Sequence, residues 1–285
     1  MAKLTVVPTP VGNLEDMTFR AIRILKEADL ILAEDTRTSG ILLKHFEIKN
    51  AMQSHHKFNE HKMVESVVNR IKAGETVALI SDAGTPGISD PGEELVKMAY
   101  EAGIEVTSLP GACACVTALT LSGLSTRRFV FEAFLPPDKK EHKLALERLK
   151  NETRTMIVYE APHHLLKTLR ELLETLGNRR LTLCRELTKK HETAWQTTIE
   201  DAITRYEQED PKGECVLVIE GRSQKEIEDE AKAAFEEISI EEHMKRYEDQ
   251  GIARKEAMKL VAKDRGVTKR DIYQYLLGKE SYNDF

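Results

Sequence analysis

The sequence has few of the features that mark secreted, metal-binding or membrane-spanning proteins. It contains four cysteines, at positions 113, 115, 184 and 215, and no CxxC pair. Since no second cysteine pair supplies zinc-ligand spacing, we expect reduced, mostly buried thiols and no metal. The longest apolar stretches, such as Cys215 to Ile219, are far shorter than the roughly 20 residues of a transmembrane helix. No signal-peptide core follows Met1, so we expect a cytoplasmic protein with no membrane partner.

The common nucleotide-binding signatures are also absent. No G-x-G-x-x-G follows a predicted strand and no G-x-x-x-x-G-K-[ST] occurs, so dinucleotide and P-loop sites lose their main support. The 42 basic and 48 acidic residues give a net charge of −6. This charge argues against binding nucleic acid over the whole surface but leaves room for a local basic patch.

The first 110 residues alternate strand-like and helix-like patterns. Short apolar runs predict strands at 4–7, 30–33, 77–80 and 105–108, and apolar spacing predicts helices at 17–28, 63–71 and from Pro91 to about Ala102. Such alternation predicts a largely parallel sheet covered by helices.

The pattern resumes after residue 128 and then becomes helical. We predict strands at 129–134, 155–159, 181–184 and 215–219, helices at 139–150 and 165–176, and a bridging helix near 112–123. The predicted domains are an α/β domain at 1–122, a second α/β domain at 123–223 and a helical domain at 224–285. In the last, helices at 253–264 and 268–277 flank a turn at Gly266, with Thr268 as N-cap, in the manner of a helix-turn-helix.

Three loops rich in proline and glycine follow predicted strands of the first domain. They span 8–13, 81–91 and 110–111. In open α/β sheets the loops at the carboxyl ends of strands line the ligand crevice, and glycine lets a ligand approach the backbone. Any one of these loops could be an ordinary turn, but three together favour a binding site.

These loops carry a resemblance to a known family. The segments 9–14, 33–37, 81–92 and 109–112 resemble the signature of the tetrapyrrole-methylase superfamily, and more closely its ribosomal RNA branch, the small-subunit rRNA ribose methyltransferase I family. Segments 131–136, 159–163 and 185–189 agree, and the helical carboxyl terminus resembles the extra domain of that branch. His164 stands where the resemblance implies arginine, and Asp138 and Glu141 interrupt a stretch that it implies to be basic.

The resemblance implies two α/β domains with a cofactor cleft between them, a small all-helical domain and a homodimer. It implies an S-adenosylmethionine-dependent enzyme that methylates the ribose 2′-hydroxyl of a cytidine in the decoding region of 16S rRNA, as free rRNA or in the 30S subunit. The cofactor-binding residues that it implies are Pro8, Pro10, Gly12, Ser81, Asp82, Ala83, Gly84, Ile88, Ser89, Pro110, Gly111, Ala112, Tyr159, Glu160 and Ala161.

Methyl transfer to a hydroxyl needs alignment of the reacting atoms and a base for the hydroxyl proton. The candidate catalytic residues are Asp35, Glu60, Glu186 and Lys189, and His55 and His56 also remain open. Asp35 could instead cap a helix or pair with Arg37, and Glu186 could form a structural ion pair with Arg185.

The carboxyl-terminal helices carry a local excess of positive charge. Residues 252–279 hold eight lysines and arginines against three acids. The candidate RNA contacts are Arg254, Lys255, Lys259, Lys269 and Arg270, although a solvated helix face would have the same composition. Two other functions stay open: a methylase of a small tetrapyrrole-like acceptor, and a ligand-sensing DNA-binding regulator without catalysis.

Overall fold

A computed structural model of the chain describes residues 3–55 and 60–280, without the side chains at 60–62, 228, 231, 232, 234, 236 and 278–280. Its contacts divide the chain into two compact units, Met1–Gly221 and Arg222–Phe285. Within the described residues the larger unit contains two five-stranded sheets, and the smaller unit is helical.

The first sheet is parallel throughout, as its sequence pattern predicts. Its strands are β1 (Lys3–Val6), β2 (Leu30–Ala33), β3 (Met52–Ser54), β4 (Val77–Ile80) and β5 (Glu105–Ser108), in the order β3-β2-β4-β1-β5. Its helices are α1 (Phe19–Glu27), α2 (Thr36–His45), α3 (Glu60–Lys72) and α4 (Glu93–Glu101). The prediction that α4 starts at Pro91 is wrong, because Gly92, with φ +138°, is the N-cap.

Burial on both faces explains why β2 and β4 are continuous apolar runs. Every residue of these two strands is buried. Leu32 and Leu79 pack in a cluster with residues of α3 and α4, whereas Ile31 and Ala78 pack in a cluster with residues of α1 and α2. Alternate side chains of each strand therefore enter different layers of the core.

The second sheet is mixed. Its strands are β6 (Phe129–Phe134), β7 (Thr155–Glu160), β8 (Arg180–Arg185), β9 (Thr193–Thr198) and β10 (Cys215–Ile219), in the order β6-β7-β10-β8-β9. The β6–β7 pair is parallel and the other pairs are antiparallel.

Helices cover both faces of this second sheet. The helices α6 (Lys139–Lys150), α7 (Leu165–Leu176) and α8 (Ile199–Tyr206) share one apolar cluster with it. The segment predicted to bridge the two halves forms α5 (Ala114–Leu121), and its Cys115, Ala118 and Leu119 pack against the second sheet in another cluster. The helix α5 thus follows the first sheet in sequence and packs on the second.

The structure contains elements that the hydrophobic patterns do not predict. These are α2, β3, β9 and α8. Among the described residues, every helix is too short or too polar to cross a lipid bilayer.

The smaller unit consists of α9 (Gln224–Glu236), α10 (Ile240–Glu248), α11 (Arg254–Arg265) and α12 (Lys269–Glu280). Met244, Ala257, Val261 and Ile272 contribute to its core. Gly266, in the left-handed conformation, ends α11. The Asp271 N–H donates to Thr268 Oγ1 at 3.2 Å, so Thr268 caps α12 as the sequence predicts.

Candidate functional site

The loops that follow β1, β4 and β5 are joined by hydrogen bonds. The Thr9 N–H donates to the Gly84 carbonyl at 2.8 Å, and the Gly84 N–H donates to the Thr9 carbonyl at 3.0 Å. The Thr9 hydroxyl donates to the Ser81 carbonyl at 3.0 Å, and the Thr85 hydroxyl donates to the Ala112 carbonyl at 2.8 Å. Since β1 lies between β4 and β5, their loops form one block at the carboxyl edge of the sheet.

Two glycines allow this close packing. Gly84 has φ +84°, a conformation that side chains rarely adopt. At Gly111, a Cβ atom would lie 2.5 Å from Cβ of Pro8. The loop after β5 can therefore touch the loop after β1 only because residue 111 has no side chain.

A cavity of about 280 Å³ lies beside this block of loops, near the lower end of the range for small-molecule sites. Residues from the segments of both sheets of the larger unit line it: Val11, Glu34, Asp82, Ala83, Gly84, Thr85, Ile88, Ser89, Asp90, Cys113, Ala114, Phe134, Tyr159 and Glu214. Of the residues singled out from the sequence, the structure brings together Asp82, Ala83, Gly84, Ile88, Ser89 and Tyr159 here.

Carboxylates give the cavity a negative charge. They come from Glu34, Asp82, Asp90 and Glu214. The pKa of Asp90 is raised to about 6, chiefly by burial and also by the charges of Glu34, Asp82 and Glu214, against a lowering hydrogen bond from Ser81. The environment of Asp90 therefore disfavours an additional negative charge and suits a cationic ligand.

Tyr159 gives the opposite wall an aromatic surface. Its ring packs edge-on against Phe131 and Phe134, with centroids 4.9 and 5.6 Å away. Burial raises the pKa of its hydroxyl, so Tyr159 remains a neutral phenol at physiological pH.

The other implied cofactor residues do not line the cavity. Pro8, Pro10 and Ser81 are buried, and Pro110, Gly111 and Ala112 belong to the loop that packs on Pro8 and Thr85. Their positions let them shape the backbone of the block of loops. Gly12 is exposed and packs against the loop that follows β8.

Glu160 and Ala161 lie in a different place. Alternation along β7 directs Glu160 to the face opposite Tyr159. There both residues line a larger groove, of about 910 Å³, beside α6 and α7. The Thr168 hydroxyl and the Ala161 N–H donate to the buried Glu160 carboxylate at 2.5 and 2.8 Å. These contacts stabilise the end of β7, and the structure does not bring Glu160 to the cavity.

Asp35 has both structural roles that its sequence context leaves open. It is the N-cap of α2, and its carboxylate accepts from the Arg37 N–H at 2.8 Å and from the Arg37 guanidinium at 2.6 Å. The Arg37 hydrogen bond holds the pKa of Asp35 down at about 2. The Asp35 N–H in turn donates to Asp82 Oδ1 at 3.1 Å, which ties the end of β2 to the block of loops.

Glu186 and Lys189 form an ion pair at 3.0 Å in the loop after β8. A Cβ at Gly12 would lie 2.5 Å from Lys189 Cγ, so this pair borders the loop after β1. His55 is buried after β3. The side chain of Glu60 and all of His56 lie outside the described residues.

Three carboxylates of the cavity are not among the residues that the sequence predicts for the site. Glu34 directly follows β2 and so carries the signal of an acid at a strand end, whereas Asp90 lies late in the 81–92 segment, between β4 and α4. Glu214 precedes β10 and comes from the other half of the unit, and no sequence pattern marks it.

The candidate RNA contacts lie on α11 and α12 of the smaller unit. Arg254, Lys255, Lys259 and Arg270 are exposed, and Lys269 is half-buried. Lys259 pairs with Glu256 at 2.8 Å. Arg265 has a structural role, because its guanidinium donates to the Ile238 carbonyl at 2.7 Å.

Replacement of Asp90 tests the charge of the cavity. In the native state Asp90 holds its proton to about pH 6, against the ordinary value of 3.8, so ionisation destabilises the fold as pH rises through this range. We expect Asp90→Asn to raise the free energy of unfolding by about 1 kcal/mol at pH 7.5, discounted for partial exposure. In urea unfolding this gain should shrink by about half at pH 5. The exposed Asp16→Asn is the control, and a neutral or destabilising Asp90→Asn at pH 7.5 would contradict the account.

Within the described residues, no group of three or more His, Cys, Asp and Glu side chains is arranged to hold a metal.

Residues 3–203 match the family model of the tetrapyrrole (corrin/porphyrin) methylases. Two relatives are each named ribosomal RNA small subunit methyltransferase I. The one from Halalkalibacterium halodurans is 49% identical over 95% of this chain and 93% of its own length. The one from Synechocystis is 44% identical over 99% of both chains.

Solved structures share the fold. Uroporphyrin-III-C-methyltransferase from Thermus thermophilus has a TM-score of 0.56 at 21% identity, over 76% of this chain and 94% of that one. A diphthine synthase has a TM-score of 0.59 at 14% identity, over 76% of this chain and 89% of that one. These likenesses confirm the predicted fold class.

The acidic cavity and the small Ala83 and Gly84 fit a cationic cofactor. The chain therefore belongs to the tetrapyrrole (corrin/porphyrin) methylases, as a methyltransferase whose cofactor is S-adenosylmethionine.

Proposed function

We propose that this methyltransferase methylates the ribose 2′-hydroxyl of a cytidine in the decoding region of 16S rRNA. The observation that carries the proposal is the extent of the similarity to relatives named ribosomal RNA small subunit methyltransferase I. It covers 95% and 99% of the chain, so it includes the helical unit beyond the family-model match at residue 203. The proposed substrate is small-subunit rRNA, free or in the 30S subunit.

We place the cofactor in the cavity beside the block of loops. Ala83 and Gly84 leave their backbone open to a ligand, and Asp82 and Glu34 provide negative charge for its cationic groups. When bound, S-adenosylmethionine supplies a methyl group already activated by a sulfonium. The residues of this chain then have to orient the acceptor hydroxyl and receive its proton.

Asp90 is the candidate to receive that proton. A general base works best when its pKa is near the operating pH. The pKa of Asp90 is raised to about 6, whereas that of Asp35 is lowered to about 2. Asp35 is thus the weaker base and is assigned to holding the end of β2. Glu186 and Lys189 border the loop at Gly12 and remain candidates for contact with the acceptor.

We assign the basic surface of α11 and α12 to contact with rRNA phosphates. The names of the relatives favour rRNA over a small tetrapyrrole-like acceptor. The methylase family favours an enzyme over a DNA-binding regulator. A cytoplasmic location follows from the ribosomal substrate, and the homodimer remains a proposal that rests on the family resemblance.

Methyl transfer to ribosomal subunits tests the proposed function. Purified enzyme and methyl-labelled cofactor are incubated with 30S subunits that lack the modification, and the labelled nucleoside is identified by mass spectrometry. We expect one 2′-O-methylcytidine per subunit, in a linkage that resists alkaline cleavage. Subunits that already carry the modification are the control. Label on a base, or transfer only to a tetrapyrrole, would overturn the proposal.

Charge removal tests the basic surface. We expect the double variant Lys255→Ala/Arg270→Ala to raise KM for the subunit about tenfold with kcat unchanged, because phosphate contacts supply uniform binding. The dependence of log KM on log salt should weaken by about 1 to 2 units of slope. The matched control Arg20→Ala/Lys72→Ala removes two exposed charges from the larger unit. Equal KM values for both double variants would rule out this surface as the RNA contact.

A further inference from the structure

Cys113 lines the cavity and contacts a second cysteine, Cys115, behind the cavity wall. Cys113 is the N-cap of α5, and its Sγ lies 3.4 Å from Sγ of Cys115. Cys113 is half-buried and lines the cavity together with Asp82 and Tyr159. Cys115 is buried immediately behind it. The pair thus combines one thiol that a small solute can reach with a second thiol in sulfur contact.

The surroundings make these thiols unequal. The hydrogen bond with Cys115 lowers the pKa of the Cys113 thiol against the raising effect of burial, and the N–H groups of Val116 and Cys115 and the Thr85 hydroxyl also lower it. The same sulfur contact, together with burial, raises the pKa of Cys115. Cys113 therefore tends toward a thiolate while Cys115 keeps its proton.

The other cysteines of the chain do not share these properties. Burial raises the pKa of Cys184 and of Cys215 to about 12. Both side chains are packed in the core of the second half of the larger unit. As buried thiols they are inert toward oxidants, so they serve as internal controls.

We propose that Cys113 and Cys115 form a reversible redox site, in which hydrogen peroxide oxidises Cys113, Cys115 converts the product to a disulfide, and the disulfide lowers cofactor affinity. The oxidation itself is independent of the proposed function. The effect on affinity rests on placing the cofactor in this cavity.

The chemistry balances with peroxide as the oxidant. The Cys113 thiolate attacks one peroxide oxygen, the O–O bond breaks, and the products are a sulfenic acid and hydroxide, which takes up a proton as water. The Cys115 sulfur then attacks the Cys113 sulfur, the S–O bond breaks, and the second water leaves with the Cys115 proton. Two thiols are oxidised by two electrons in total, and one peroxide is reduced to two waters.

Closure of the disulfide would change the wall of the cavity. A disulfide requires a sulfur separation of about 2 Å, so the two sulfurs must approach by roughly 1.4 Å from their present contact. Cys113 follows Ala112, whose carbonyl accepts a hydrogen bond from the Thr85 hydroxyl. Movement at residue 113 therefore acts on a contact that joins two of the loops beside the cavity.

Mass spectrometry of the full-length protein tests the oxidation. After treatment with a small excess of hydrogen peroxide at pH 6.5, we expect a loss of about 2 Da and a peptide that contains the Cys113–Cys115 disulfide, reversed by dithiothreitol. Since an ordinary thiol is only about 1% thiolate at this pH, alkylation of Cys113 by iodoacetamide should be at least about fivefold faster than that of glutathione.

Variants separate the two steps. Cys115→Ser should instead gain about 16 Da or more, because its sulfenic acid has no partner thiol. Cys113→Ser should show neither change, and Cys184→Ser should behave like wild type. An absence of the disulfide in wild type, or its loss in Cys184→Ser, would overturn the redox site.

Calorimetry tests the link to the cofactor separately. We expect oxidised wild type to bind S-adenosylmethionine at least about fivefold more weakly than reduced protein, with recovery after dithiothreitol and no such change in Cys113→Ser. Equal affinity of a protein shown by mass to carry the disulfide would overturn the effect on cofactor binding. Failure to form the disulfide would overturn only the redox chemistry and leave the proposed methyl transfer untouched.

Discussion

The pair of backbone hydrogen bonds between Thr9 and Gly84 is the constraint on which the site depends. It fixes the loop after β1 against the loop after β4. The Thr85 hydroxyl extends the connection to the loop after β5, and Asp82 extends it to the end of β2 through the Asp35 N–H. Because these bonds satisfy the backbone of the loops internally, the loops keep one shape, with Asp82, Ala83 and Ser89 along the cavity.

The carboxylates that give the cavity its negative charge also lower the stability of the fold. Burial and, after it, the neighbouring carboxylates raise the pKa of Asp90 to about 6. A cationic cofactor would lower this cost, because its charge opposes the repulsion among Glu34, Asp82 and Asp90. The same environment brings Asp90 near the pKa that suits a base at neutral pH. In the proposed function, cofactor binding and proton transfer thus depend on one arrangement of side chains, as is common where function and stability conflict.

Much of the fold is predictable because burial leaves clear patterns. The apolar run of β4 is predicted correctly because helices cover both of its faces. The leucine stripe of α7 is predicted because it faces a single cluster. By contrast, Gly40 interrupts the apolar pattern of α2, β3 spans three residues without an apolar run, and β9 is a mostly polar edge strand without a buried residue. Their stability comes from neighbours in space, which local patterns do not record.

The site was only partly predictable for a related reason. The loops after β1, β4 and β5 carry their glycine and proline signals locally, so their meeting could be expected from the parallel order of strands. The raised pKa of Asp90 depends first on its burial in the folded chain and then on charges that include Glu34 and Glu214, which are distant in sequence. Tyr159 and Glu160 line different cavities because their side chains point to opposite faces of β7. Both properties require the folded arrangement.

Calorimetry of Asp82→Asn measures whether S-adenosylmethionine binds in the acidic cavity beside the block of loops that the Thr9–Gly84 hydrogen bonds hold together. Asparagine keeps an oxygen for the Asp35 N–H and removes the charge, while Asp16→Asn removes an exposed charge elsewhere. We expect Asp82→Asn to weaken cofactor binding about tenfold and Asp16→Asn to leave it unchanged. Equal affinities of wild type and Asp82→Asn, with both proteins folded, would rule out cofactor binding in this cavity.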